Sequence, residues 1–255
     1  MSTYPASFAS FCTSLAARQS PALIWYSRYG ERIELSGRVL MNWVEKSTNF
    51  LVSQTEVNDE EGVYFAPVLH WRSVVLALSS LRAGAQISSI DNEPVAVIVY
   101  EPDQIPDPQL DALPAYAVAV DRSPLAMRFM GHLELFEQGS IEEVLDYCAL
   151  VRSESDVLMS VPAPVSARVD EEETTQEVFW SRVCARANEL PASEALAYAL
   201  PAEASFDTPA EIVKCMETIL AIMLTSRAVV ICDPAANFSP SEIEPLLTAE
   251  QALVL

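Results

Sequence analysis

A chain of 255 residues, 51% of them hydrophobic, has ample apolar surface to bury a core, which excludes intrinsic disorder. Its formal net charge of -21, from 36 acids against 15 bases, repels a phosphate backbone and an anionic bilayer. Nucleic acid and membrane are therefore excluded as partners, and an anionic ligand needs a local pocket of opposite sign.

Taken in chain order, residues 1–20 lack the basic and continuous apolar regions of a signal peptide. Short Val- and Ile-rich runs predict strands at Leu23–Tyr26, Arg32–Leu35, Val63–Pro67, Val95–Tyr100, Tyr116–Val120, Val157–Val161, Ala195–Leu200 and Ala228–Cys232. Between them, Ser36 caps a helix whose stripe is Leu40, Trp43, Val44, Ser47, Phe50 and Leu51, and Trp71–Arg82 is a second amphipathic helix. Glu101–Pro114 is a proline-rich surface connection. Four capping boxes predict further helix starts: Ser140 with Glu143, Thr174 with Glu177, Thr208 with Glu211 and Pro209, and Ser239 with Glu242. Continuous apolar strands alternating with helices predict an α/β fold, layered sheets with flanking helices. Residues 1–255 read as one compact unit, with two lobes, 1–168 and 172–255, meeting at the acidic stretch Asp170–Glu173.

Chemistry is sparse. All six glycines (Gly30, Gly37, Gly62, Gly84, Gly131, Gly139) precede residue 140, and no G-x-G-x-x-G, G-x-S-x-G or G-x-x-x-x-G-K-[ST] pattern occurs. The two histidines, His70 and His132, form no metal motif, so neither metal nor cofactor is assigned. Five cysteines without a C-x-x-C pair predict free thiols in a reducing cytoplasm. Glu142 and Glu143, like Asp170–Glu173, read as solvated faces rather than an acid/base pair. His70, Trp71 and Arg72 sit at a strand-to-helix junction, where open α/β sheets bind ligands; the alternative is that Trp71 packs and His70 caps the helix. Asp121, Arg122 and Arg128 follow another strand and offer either an anion site or a salt bridge with a structural arginine. These six form the candidate ligand pocket, and no residue is assigned to catalysis.

Pro21–Leu51, followed by Glu60–Ser89, resembles the opening of the AMP-binding adenylate-forming enzymes, the acyl-CoA synthetase superfamily. Glu61-Gly62-Val63 stands where that family has a "GD-x-V" strand, and Leu81-Arg82-Ala83-Gly84-Ala85 matches its "L-x-A-G-A". A fainter similarity runs from Ala195 to Leu247, where Ser226-Arg227-Ala228 replaces the expected Gly-Ala and Phe238-Ser239-Pro240 opens a helix. The resemblance implies that Asp156–Arg168 occupies the position of the glycine-rich loop that cradles ATP phosphates. Ser160, Pro162, Pro164, Ser166 and Arg168 stand there instead, without the glycines and the lysine. Prolines remove amide donors and fix φ, so the family's cradle cannot be built. The aromatic-Gly-x-Thr-Glu and Gly-Asp ribose motifs are also missing, as is the C-terminal lid with its lysine. The resemblance thus implies a truncated, degenerate relative that binds a protein partner or a small acyl- or nucleotide-like ligand without catalysis. The alternatives are half a ligase completed by another chain, or an unrelated enzyme working at the His70 and Asp121 junctions. Oligomeric state stays open, a homo-oligomer included.

Overall fold

The computed structural model describes residues 4–27, 30–105, 114–123, 125–137, 141–160, 163–201 and 204–255. In chain order the elements are α1 (Phe8–Ala16), β1 (Pro21–Tyr26), β2 (Arg32–Ser36), α2 (Gly37–Thr55), β3 (Gly62–Phe65), α3 (Trp71–Ala83), β4 (Gln86–Ile87), β5 (Ala96–Val99), β6 (Tyr116–Ala119), β7 (Glu143–Asp146), α4 (Tyr147–Leu150), α5 (Gln176–Glu189), β8 (Ala197–Ala199), α6 (Pro209–Leu224), β9 (Ala228–Cys232), α7 (Pro240–Ala249) and β10 (Ala252–Val254).

The strands form two five-stranded sheets, ordered β10-β8-β9-β1-β2 and β4-β3-β5-β6-β7. Every pairing is parallel except β1 with β2. The predicted α/β architecture of layered sheets is therefore observed. Helices α1, α2, α3, α5 and α6 supply side chains to the central core, and strands β1, β5, β6, β8 and β9 are buried on both faces. In β1, Leu23 and Trp25 point into the central core, while Ile24 and Tyr26 join Ala197, Ala199, Ala228 and Val230 in a second cluster on the outer face. On the other sheet, Ala96 and Ile98 face inward, Val97 and Val99 outward. Such two-sided burial explains why these strands read as continuous apolar runs. Edge strand β2 instead alternates, with Ile33 and Leu35 buried and Arg32 and Glu34 exposed, which discourages pairing with another chain.

Glycine has a local cause at two sites. A Cβ on Gly37 would lie 2.5 Å from the Leu15 carbonyl oxygen and 2.8 Å from Arg18 Cβ, so the end of α1 presses directly on the start of α2. Gly84, at φ +95°, closes α3 in the left-handed conformation, and its N–H donates to the Ser80 and Leu81 carbonyls.

Several expectations change. Asp156–Ser160 forms no strand: Val157 and Met159 are 65% and 76% exposed. Asn49 on α2 explains this, because its Nδ2 donates to the Ser155 and Val157 carbonyls (2.9 Å each) and its Oδ1 accepts from the Met159 N–H (2.9 Å), occupying groups a ladder would need. Val161 lies outside the described residues. So does Ser140, and the partner of its expected capping box, Glu143, begins β7; the helix starts later, at Tyr147, capped by Asp146. Helix α5 is capped by Thr175 rather than Thr174, through the Val178 N–H at 3.3 Å. Thr174 has been drawn into a tight corner, its N–H on Asp170 Oδ1 and its carbonyl on the Val169 N–H. That corner ties back to β4 through the Ile87 N–H on the Val169 carbonyl. Strands β1 and β2, from 1–168, share a sheet with β8, β9 and β10, from 172–255. Of the proline-rich connection, 106–113 lies outside the described residues. Among the described residues no helix is long and apolar enough to cross a membrane.

Candidate functional site

The two strand-to-helix junctions are filled. His70 is wholly buried as the N-cap of α3, its Nδ1 accepting from the Arg72 N–H at 3.2 Å. Its ring lies edge-on to Trp25, centroids 4.5 Å apart, and 5.9 Å from Tyr100. Burial, with the Arg72 and Arg122 charges adding to it, holds its pKa well below the ordinary imidazole value, so the ring is neutral. Trp71 is 1% exposed and packs edge-on to Trp43 at 5.5 Å. Arg72, equally buried, lies over the Trp71 ring and donates from Nη1 to the Asp121 and Ser123 carbonyls at 2.8 and 2.7 Å. Asp121 accepts the Ser123 and Met130 N–H groups at 2.7 and 2.9 Å, and Arg122 Nη2 pairs with both Asp233 oxygens at 3.2 Å. Arg128 stands apart, exposed. Arg72, Asp121 and Arg122 thus hold the loop after β6 in place, while His70 caps α3 and Trp71 packs in the core.

At the position implied for the phosphate loop, Arg168 donates to Glu173 at 3.2 Å on the surface, and Pro164 and Ser166 are exposed. Ser160 Oγ is buried with no partner among the described residues, and Pro162 lies outside them. A hollow of about 300 Å³ is lined there by Pro164, Ser166 and Arg168, but its other wall carries Asp59 and Glu60. Two carboxylates facing one ion-paired arginine oppose a polyphosphate.

A larger cleft of about 820 Å³ lies where β8 and β9 end, beneath α7. Its floor is Ala199 and Val230, its roof Ile243 and Leu247, and its end wall Leu200 and Asp233. No residue of α7 is buried, so the helix rests on the outer face of the sheet without being embedded in it. Its far end is clasped: Glu250 takes Nε and Nη2 of Arg32 at 2.7 and 3.1 Å and the Tyr26 hydroxyl as well. The Arg32 hydrogen bond, acting against partial burial and helped by Tyr26, keeps the Glu250 carboxyl below the usual range. Composition did not single out this cleft; the available signal was the Asp233-Pro234 turn after an apolar strand, a place where parallel sheets leave a crevice. Among the described residues no group of three or more His, Cys, Asp or Glu side chains is placed to hold a metal.

Solved structures match this arrangement over nearly the whole chain. An acyl-CoA synthetase from Brucella canis superposes on 97% of it with a TM-score of 0.68 at 12% identity. This is the fold of the acyl-CoA synthetase-like, adenylate-forming enzymes. The o-succinylbenzoate coenzyme A synthetase of Bacillus subtilis, in complex with AMP, matches 96% of the chain (TM-score 0.62, 11% identity), and the coronafacic acid ligase of Pectobacterium brasiliense 94% (0.63, 11%). The chain spans 46%, 48% and 47% of those three, so it carries the adenylate-forming fold over about half their length. No protein-family model matches it, and no curated protein does.

Proposed function

We propose that this chain is a non-catalytic binding domain on the adenylate-forming fold, its apolar cleft retained for a small acyl-type ligand. The observation that carries this reading is the Ser160–Arg168 segment: its arginine is engaged by Glu173, and Asp59 and Glu60 line the hollow beside it. Adenylation needs cations or backbone donors on the transferring phosphates, and here the nearest charges oppose them. The cleft under α7 supports the binding half of the reading, being apolar and of a size that encloses a small ligand.

Acid-dependent exchange of pyrophosphate into ATP, measured on the purified chain over a panel of carboxylic acids, tests it. No exchange is expected, together with no change in Tm on adding ATP-Mg²⁺ and a raised Tm with an acyl chain mimic such as a medium-chain thioester. Exchange above background with any acid would overturn the reading. A second reading, half a ligase completed by another chain, is favoured by the outer edge of β10, where Leu253 and Val254 are 39% and 53% exposed. It predicts that AMP or an acyl-adenylate mimic raises Tm on its own.

A further inference from the structure

Helix α7 roofs the apolar cleft with Ile243 and Leu247, yet little in its own sequence makes it a durable helix. Its 10 residues are too few to stay helical alone in water, and Pro245 in the interior deletes a backbone donor and crowds the preceding turn. No α7 residue is buried, so packing on the sheet supports it less than it supports α2, α3 or α6. The backbone at its two ends is unusual as well. Asn237 and Gln251, both at φ +49°, bracket the helix in the left-handed region. Asparagine tolerates that region; glutamine rarely enters it, and keeps it only where the surroundings impose it.

What imposes closure is one carboxylate. Glu250, the C-cap of α7, has a side chain only 11% exposed; it accepts Nε and Nη2 of Arg32 at 2.7 and 3.1 Å and takes the Tyr26 hydroxyl. Arg32 belongs to β2 at one edge of the sheet, whereas α7 leads into β10 at the other. The contact is therefore a strap across the outer face, its direction fixed by the fork of the guanidinium on the carboxylate. Arg32 also pairs with Glu34 on its own strand, so releasing Glu250 does not strand the cation. One strong tie over a weakly embedded helix makes a locally opening element. We propose that α7 is a lid over the apolar cleft, latched by Glu250 on Arg32 and Tyr26 and turning at Asn237 and Gln251, and that ligands enter and leave when it opens. The inference rests on the reading of that cleft as a binding site and concerns control of access to it. Glu250, Arg32 and Tyr26 lie outside the cleft lining, so the latch is the same with the cleft empty or full and sets rates rather than affinity.

Amide hydrogen exchange of the full chain without ligand reads the latch, since an α7 that leaves the sheet does not stay helical. Arg32→Gln and Glu250→Gln should each speed exchange over 241–250 about fivefold, the loss expected for a partly shielded ion pair, with β8 and β9 unchanged. Arg32→Lys, which keeps the charge but not the fork, should fall between them and the parent. Stopped-flow mixing with the neutral apolar dye Nile red then reads access, taking the part of the signal that a medium-chain thioester displaces. In both Gln variants association and dissociation should quicken together, with Kd within about twofold of the parent. Unchanged exchange over 241–250 would overturn the latch whether or not the dye binds, as would exchange quickened throughout, β8 and β9 included. Faster local exchange with unaltered dye rates would overturn the lid. A parent and variants that show no displaceable dye signal would remove the cleft reading and the lid with it, while faster local exchange would still uphold the latch.

Discussion

His70 gains its place by satisfying the start of α3 and by filling the space between Trp25 and Tyr100, and both tasks require the neutral ring. Its folded pKa is depressed, chiefly by burial, below the unfolded value near 6.5. Above that pH neither state binds the proton, and His70 adds no pH dependence. As the pH falls below about 6.5 the unfolded chain takes up a proton that the fold refuses, so stability drops by up to about 1.4 kcal/mol per unit. His70→Asn keeps a capping acceptor and cannot titrate; urea midpoints at pH 7.5, 6.5 and 5.5 should fall less steeply for it than for the parent. Equal slopes would mean that some other group controls acid stability. The sequence placed His70 at a strand-to-helix junction with two readings, cap or pocket, and the geometry is that of the cap. For Asp121 and Arg122 the expected ion pair exists with a different partner, Asp233. That partner lies 111 residues away, and no local pattern could have pointed to it.

Helices were legible where a cap precedes a periodic stripe: Ser36, Thr208 and Ser239 each take the predicted place. Apolar strands were legible for the same physical reason, two-sided burial. The misreadings share a cause too, namely side chains that capture backbone groups locally. Asn49 is the clearest, holding Ser155, Val157 and Met159 away from any ladder. Asn49→Ala should cost about 3 kcal/mol, the sum of three modest hydrogen bonds in a largely buried setting, and should open residues 155–159 to proteolysis. Guanidinium unfolding and limited digestion check both; a loss under about 1 kcal/mol with an intact cleavage pattern would show that the segment is held by something else. The candidate site fared worse than the fold, because the cleft beneath α7 is walled largely by apolar residues that no motif distinguishes from core.

For the molecule as a whole, charge opposes compactness. A net charge of -21 on this chain repels itself, and salt screens that repulsion. Raising sodium chloride from about 0.02 M to about 0.3 M should raise Tm by a few degrees, since each kcal/mol is worth about 2–4 °C at this size. Calorimetry at the two salt concentrations decides it, and an unchanged Tm would place the repulsion in the unfolded chain as much as in the native one. The same scale gives meaning to the sheet that unites β1 and β2 with β8, β9 and β10. Tyr26 and Glu250, joined across it, are 224 residues apart in sequence. A ribosome therefore releases Leu23–Tyr26, apolar on both faces, long before β9, its parallel partner, has been made, although β2 follows at once on the other edge. Until β9 emerges that edge is open to any other nascent strand, so the yield of native chain is set by synthesis rate and chaperone supply as well as by final stability.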